Sequence, residues 1–156
     1  MSQSIRAGQL SVNAAFLKEI KDDNLQLKLL WDDLKSKLSH SQVAMNHWPE
    51  LIQLLSHLRD QLALHFSLEE AYGYFDEAIN VAPELSLNAM QLRSQHGILF
   101  KDICDLADKI TEVVFEPEAV FLFTDQLREF QRDFEDHEEA ELNLILNSLG
   151  DDSLPS

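Results

Sequence analysis

Cysteine, glycine and proline are all scarce in this chain, and their scarcity limits the folds that it can adopt. The 156 residues include four glycines and four prolines, so few positions break a helix or form the tight turns between short strands. The single cysteine, Cys104, excludes an internal disulfide and lies in a helical pattern that predicts a half-buried packing role. Because good helix formers dominate the remainder, the composition predicts an all-α fold.

Basic residues are also few, with 12 Lys and Arg against 28 Asp and Glu and a formal net charge of −16. Such a surface repels nucleic acid and anionic lipid, so we expect no nucleic acid and no membrane as partners. No apolar run approaches the roughly 18 residues of a membrane helix, and residues 1–10 lack the apolar segment of a signal peptide. The sequence therefore predicts a single cytoplasmic domain spanning residues 1–156.

Apolar residues recur at alternating steps of three and four along most of the chain. This pattern predicts four helices, at about 13–38, 49–79, 86–112 and 117–149. Pro49 and Pro117 suit the first turn of a helix, whereas the segment 39–48 shows no period and predicts a loop. A frayed tail is expected from Gly150 onward. Four such stripes with short connections predict an up-down-up-down antiparallel four-helix bundle.

Polar residues interrupt all four apolar stripes. The interruptions are Asn24 in the first helix, His65 and Glu69 in the second, His96 in the third, and His137 and Glu141 in the fourth. In the first and third helices they come roughly 10 residues, or about 15 Å, after the helix start, and in the second and fourth they lie much nearer the end of the helix than its beginning. Antiparallel packing would therefore bring them to one level, as a polar layer inside an apolar core.

The polar side chains of this layer need compensating interactions, because burying an unpaired ion costs roughly several kcal/mol of folding free energy. The spacing His-x-x-x-Glu occurs at His65–Glu69 and at His137–Glu141, and it places both side chains on one helix face, one turn apart. Together with His96, these imidazoles and carboxylates form a ligand set that suits iron. We predict these five residues as metal ligands. A buried hydrogen-bond network in a metal-free interaction module is the alternative.

Other polar residues near the layer receive peripheral roles. Asp22 and Asp23 are predicted to face solvent. Glu70, Glu138 and Glu139 are predicted to point outward, with Glu70 or Glu138 as a possible orienting group for a ligand. The remaining histidines are predicted at the surface: His40, His47 and His57.

The ordered set of motifs resembles the haemerythrin-like domain family over roughly residues 13–149. The resemblance rests on His65-x-x-x-Glu69, on His96 and on His137-x-x-x-Glu141, each on the matching helix. It implies a bundle with a carboxylate-bridged, non-haem di-iron centre, in which the two glutamates are bridges and the histidines are terminal ligands. It also implies a role in oxygen binding, sensing, storage or transfer.

The first helix departs from the family pattern, because Asn24 stands where the family usually places a histidine. An amide oxygen is a poor substitute for imidazole on iron, and the third helix has one histidine where oxygen-carrying members have two. We therefore expect two iron ions, or one, with one position weakly held or open to solvent. The predicted function is binding or sensing of O2, iron or a small oxidant such as NO. An oxidase or peroxidase and a metal-free helical module are the alternatives.

Overall fold

The computed structural model describes residues 2–71 and 83–153, and these ranges are helical almost throughout. They contain the helices α1 (Ser2–Lys37), α2 (Ser41–Asn46), α3 (Trp48–Ala71), α4 (Ser86–Lys109) and α5 (Pro117–Ser153). Short 3-10 turns precede and follow α4, at Pro83–Leu85 and Ile110–Glu112. Within these ranges there is no strand, which confirms the all-α prediction. No helix in the described ranges has both the length and the apolar character that crossing a membrane requires.

The ends of the helices differ from those predicted. α1 begins at Ser2 instead of near residue 13, and α5 continues to Ser153 through the tail that was expected to fray from Gly150. A single glycine lowers helix propensity by only about 1 kcal/mol, which is too little to stop a helix by itself. α4 ends at Lys109, and the predicted last turn is a 3-10 turn. The predicted end of the second helix near residue 79 lies outside the described residues.

The prediction of a loop over residues 39–48 is wrong, because α2 occupies most of that segment. This helix of six residues is too short to show a hydrophobic period, and it forms because it buries Ala44 completely in the apolar core. Pro49 lies in the first turn of α3, as predicted, where its missing N–H removes no helical hydrogen bond.

Apolar side chains from the four long helices form one large core cluster and one small one. α1 packs on α3, α3 on α4, α4 on α5, and α2 on α5. The large cluster includes Trp31, whose ring centroid lies 5.2 Å from that of Phe134. The small cluster consists of Ala89, Leu92 and Leu144. Polar residues separate the two clusters along α4 and α5, and this interval contains the candidate site.

Candidate metal centre

The five residues predicted as ligands lie together between the two apolar clusters. α3 contributes His65 and Glu69, α4 contributes His96, and α5 contributes His137 and Glu141. Every one of them is buried, with at most 6% of its surface exposed. The four-residue spacing brings each histidine next to the glutamate one turn later, so that His65 Nε2 lies 2.8 Å from Glu69 Oε1. Three helices therefore deliver one cluster of imidazoles and carboxylates.

Four of these residues form the tightest group. One ligand atom from each of Glu69, His96, His137 and Glu141 lies within 4.8 Å of the other three. His96 Nε2 lies 3.0 Å from Glu69 Oε2 and 3.1 Å from Glu141 Oε1. His137 Nε2 contacts Glu141 Oε1 directly. Two imidazoles and two carboxylates thus converge closely enough that they could hold a metal ion together.

All three imidazoles are held in the same sense, with Nε2 directed into the cluster and Nδ1 directed away from it. The Nδ1 partners are Asp23 Oδ2 for His65 at 2.5 Å, Gln95 Oε1 for His137 at 2.7 Å, and Glu70 Oε1 for His96 at 3.4 Å. An acceptor at Nδ1 keeps a proton there and leaves Nε2 as the available ligand atom. Histidines that bind metals are oriented in this way by a second hydrogen bond.

Two buried atoms of the cluster have no hydrogen bond to any described residue, namely Glu69 Oε2 and His137 Nε2. Their neighbours in the cluster are near enough, but they do not lie in the directions that a hydrogen bond requires. A buried polar atom without a partner costs about 1–3 kcal/mol, and such atoms are rare. Since both atoms are good iron ligands, the residues present fit a bound transition-metal ion better than a self-contained hydrogen-bond network.

Protons compete with any cation for this cluster. Burial alone would lower the pKa of His65, but hydrogen bonds to Asp23, Glu138 and Glu69 outweigh it and raise that pKa to about 12. For His96, burial is likewise outweighed by the two cluster glutamates, and its pKa rises to about 10. Burial would raise the pKa of Glu69, yet the imidazoles of His65 and His96 beside it lower that pKa to about 2. Without an ion, charged imidazoles therefore compensate the buried carboxylates.

A cavity of about 420 Å³, here called the His65 cavity, opens beside the α1 side of the cluster. Asp23, Asn24, Glu138 and Glu139 are among the residues that line it, together with His65 itself. Asn24, predicted at the first-helix ligand position, is exposed and lies at this wall. The cavity gives an ion or a small molecule access to the cluster from one side.

The prediction that Asp23 faces solvent is wrong. Asp23 is only 4% exposed, and besides its contact with His65 it accepts a hydrogen bond from Gln61 Nε2 at 2.7 Å. Positions four and three residues before the buried Leu27 are both compatible with the inward face of a helix. Spacing alone therefore does not decide whether Asp23 or Asn24 faces the cluster. The general preference of carboxylates for solvent favoured Asn24, but Asp23 is the residue that is buried.

Among the neighbouring polar residues, Glu138 does not point outward as predicted, and Gln95 has a role that the sequence did not reveal. Glu138 is one-third exposed, and its Oε1 lies 2.6 Å from His65 Nε2, so it points into the cluster and not outward. Gln95 is an exposed residue on a polar helix face, where no pattern distinguishes it. Glu70 and Glu139 are exposed as predicted. The same holds for the surface histidines His40, His47 and His57.

Comparison with known proteins adds one finding. The family model described as hemerythrin HHE cation binding domain matches residues 15–149. This range contains all the residues of the cluster and the α1 residue that orients His65. No curated protein and no solved structure matches the chain.

Proposed function

This chain belongs to the hemerythrin HHE cation-binding family, and we propose that it holds non-haem iron between α3, α4 and α5. The proposed ligands are His65, Glu69, His96, His137 and Glu141. The observation that supports iron binding most directly is the inward orientation of all three imidazoles towards two buried glutamates. Imidazole and carboxylate together suit iron, and a bound cation would give a partner to the two ligand atoms that lack a hydrogen bond.

Two ions are favoured over one by the position of Glu69. One of its oxygens lies 2.8 Å from His65 Nε2, and the other lies 3.0 Å from His96 Nε2. Glu69 thus stands between histidines on two different sides. A carboxylate in this position can contact two cations at once, which supports a centre of two irons with Glu69 between them.

We also propose that the long helices run up-down-up-down. Contacts between α4 and α5 occur in reversed order along the chain, with Gln95 meeting His137 and Lys109 meeting Gln126. Contacts between α1 and α5 follow the same reversed order: Lys35 with Glu135, and Leu38 with Arg128. Reversed order of this kind is typical of antiparallel neighbours and supports the bundle predicted from the sequence.

The proposed role of the centre is to bind or sense O2, NO or iron itself. Bound iron would offer a coordination position to a small exogenous ligand. The His65 cavity gives access from one side, while on the core side Phe66 stacks on His96 with ring centroids 4.6 Å apart and restricts water. Because the ligands come from three helices, a change at the centre acts on helix packing, which favours sensing over passive storage.

The first test of this proposal is metal content. The chain is loaded anaerobically with ferrous iron, desalted and analysed for iron per chain, and we expect two. Exposure of the loaded protein to NO should then give a new absorption band, because an accessible iron changes its spectrum when a ligand binds. A folded chain that retains no iron would refute the proposal.

A further inference from the structure

The cluster contains a second group of possible metal ligands that includes a residue outside the predicted set. Ligand atoms of His65, Glu69 and Glu138 lie within 4.8 Å of one another. The first two residues are more than nine-tenths buried, and Glu138 has 34% of its side chain exposed, beside the His65 cavity. This group shares Glu69 with the larger group, so the two groups lie side by side.

Two carboxylates in this group approach the same ring nitrogen. Nε2 of His65 lies 2.6 Å from Glu138 Oε1 and 2.8 Å from Glu69 Oε1. One N–H group donates one good hydrogen bond, and it cannot be directed well at both oxygens. The other ring nitrogen is already engaged by Asp23 at 2.5 Å. A cation that binds all three groups would remove this competition.

The buried environment of Glu69 points to a ligand independently of Glu138. Glu69 is 6% exposed, and its Oε2 has no hydrogen bond to any described residue. This buried oxygen lies 3.0 Å from His96 Nε2, at the junction of the two groups, but has no well-directed hydrogen bond. The carboxylates of an acidic cluster at a protein surface are hydrated, whereas this oxygen is buried without a hydrogen bond.

We propose that Glu138 provides the ligand that the first helix does not supply, and so completes a second iron position with His65 and Glu69. This inference rests on the proposed function and goes further by assigning unequal ligand sets to the two positions. The position with His96 and His137 has two imidazoles and is buried. The position with Glu138 has one imidazole, more carboxylate and access to the cavity, so it holds iron less tightly and exchanges it first.

The test compares Glu138→Gln with Glu139→Gln. Both substitutions remove one charge from the wall of the same cavity, but only Glu138 belongs to the ligand group. Calorimetric titration with ferrous iron under anaerobic conditions should show two sites in the unmodified chain and in Glu139→Gln. In Glu138→Gln, the weaker site should lose at least tenfold in affinity while the tighter site keeps its affinity. Mössbauer spectra of the loaded chain should show two unequal iron signals, one of which is lost in Glu138→Gln.

The possible outcomes separate this inference from the proposed function. If Glu138→Gln binds two irons with unchanged affinities, Glu138 is only an ion-pair partner of charged His65, and the inference is overturned while iron binding stands. An equal loss of iron affinity in both variants would also overturn the inference, because the loss would then come from the reduced negative charge of the cavity wall. Absence of iron from the unmodified chain would refute the proposed function itself. Glu138→Asp, which retains the carboxylate, provides a second variant if Glu138→Gln does not fold, and it should bind iron more weakly than the unmodified chain at one site only.

Discussion

The imidazole of His137 has a hydrogen bond on one side, and on the other side only its close contact with Glu141. Its Nδ1 donates to Gln95 Oε1 at 2.7 Å, whereas its buried Nε2 has no hydrogen bond to any described residue. A histidine kept only for packing would cost the protein an unsatisfied nitrogen. The same residue as a ligand would have a partner on both sides, which accounts for a polar side chain next to Phe66 in the core.

Replacement of His137 by glutamine should therefore cost iron, and with it the stability that iron provides. We expect at least a tenfold loss of iron affinity. At an iron concentration of a hundred times the dissociation constant, bound iron adds about 2.7 kcal/mol to the free energy of unfolding. This contribution should be smaller in the variant. Calorimetry and thermal unfolding with and without iron measure both effects. His57→Gln is the matched control, since His57 is an exposed histidine of α3. Unchanged iron binding in His137→Gln would remove this residue from the ligand set.

Residues can be predicted from sequence where they break a pattern. His65, His96 and Glu141 interrupt apolar stripes, so their burial in one layer followed from spacing alone, and the structure places them together. Gln95 does not interrupt an apolar stripe, because it lies on an exposed, polar face of its helix. Its function depends on the distance to a histidine on another helix, and no local pattern contains that distance.

At the level of helices, α1 differs from the other long helices in its contact with the centre. It supplies none of the residues in the two ligand groups, and its link to them is the contact of Asp23 with His65 Nδ1. The carboxylate of Asp23 is fixed in turn by Gln61 of α3. Through this contact, α1 would respond to a change in the orientation of the His65 imidazole.

Asp23→Ala should weaken iron binding and uncouple α1 from the centre. Loss of an orienting partner typically costs 10–100-fold in metal affinity, and we expect about that effect here. In the unmodified chain, iron loading should slow amide hydrogen exchange in α1 near Asp23, and this slowing should be absent from Asp23→Ala. Asp23→Asn should restore much of it, because an amide oxygen can accept the same hydrogen bond. Asp22→Ala is the control, since Asp22 is exposed; an equal effect there would indicate a general charge effect.

The existence of the long helices was predictable, but their ends and the short helix α2 were not. A long apolar stripe such as Leu51–Leu62 indicates a helix by the agreement of many positions, and each further turn strengthens the pattern. The end of a helix depends on one or two residues and on what packs there. α2 exists because Ala44 fits into the core, which only the assembled molecule can decide.

For the whole molecule, the pKa shifts predict how the stability of the iron-free chain depends on pH. His65 and His96 have folded pKa values of about 12 and about 10, above the ordinary 6.5, so their stabilising charge is complete below pH 6.5 and is lost as pH rises through the higher values. Glu69 has its pKa lowered from 4.5 to about 2, so its contribution is present above pH 4.5 and is lost as pH falls towards 2. From these groups, the iron-free chain should be most stable between pH 4.5 and 6.5.

Iron requires the same imidazoles in their neutral form, so its affinity should rise with pH. Thermal midpoints measured anaerobically from about pH 5 to about pH 9, with and without ferrous iron, should therefore diverge as the pH increases. As pH rises above 6.5, the thermal midpoint of the iron-free chain should fall, while the difference between the midpoints with and without iron should grow. Parallel curves would mean that protons and iron do not compete for this cluster.

The cluster joins parts of the chain that are far apart in sequence, and this has a consequence for the order of folding. His65 meets Asp23 across 42 positions, His96 meets Glu141 across 45, and His65 meets Glu138 across 73. Closing such loops costs chain entropy, and no short nascent segment contains the whole ligand set. The apolar cluster that includes Leu55, Ile103 and Leu127 does not depend on the ion for its contacts. We therefore expect the polypeptide to collapse and dock its helices first, and iron to enter a finished scaffold as the last event of maturation.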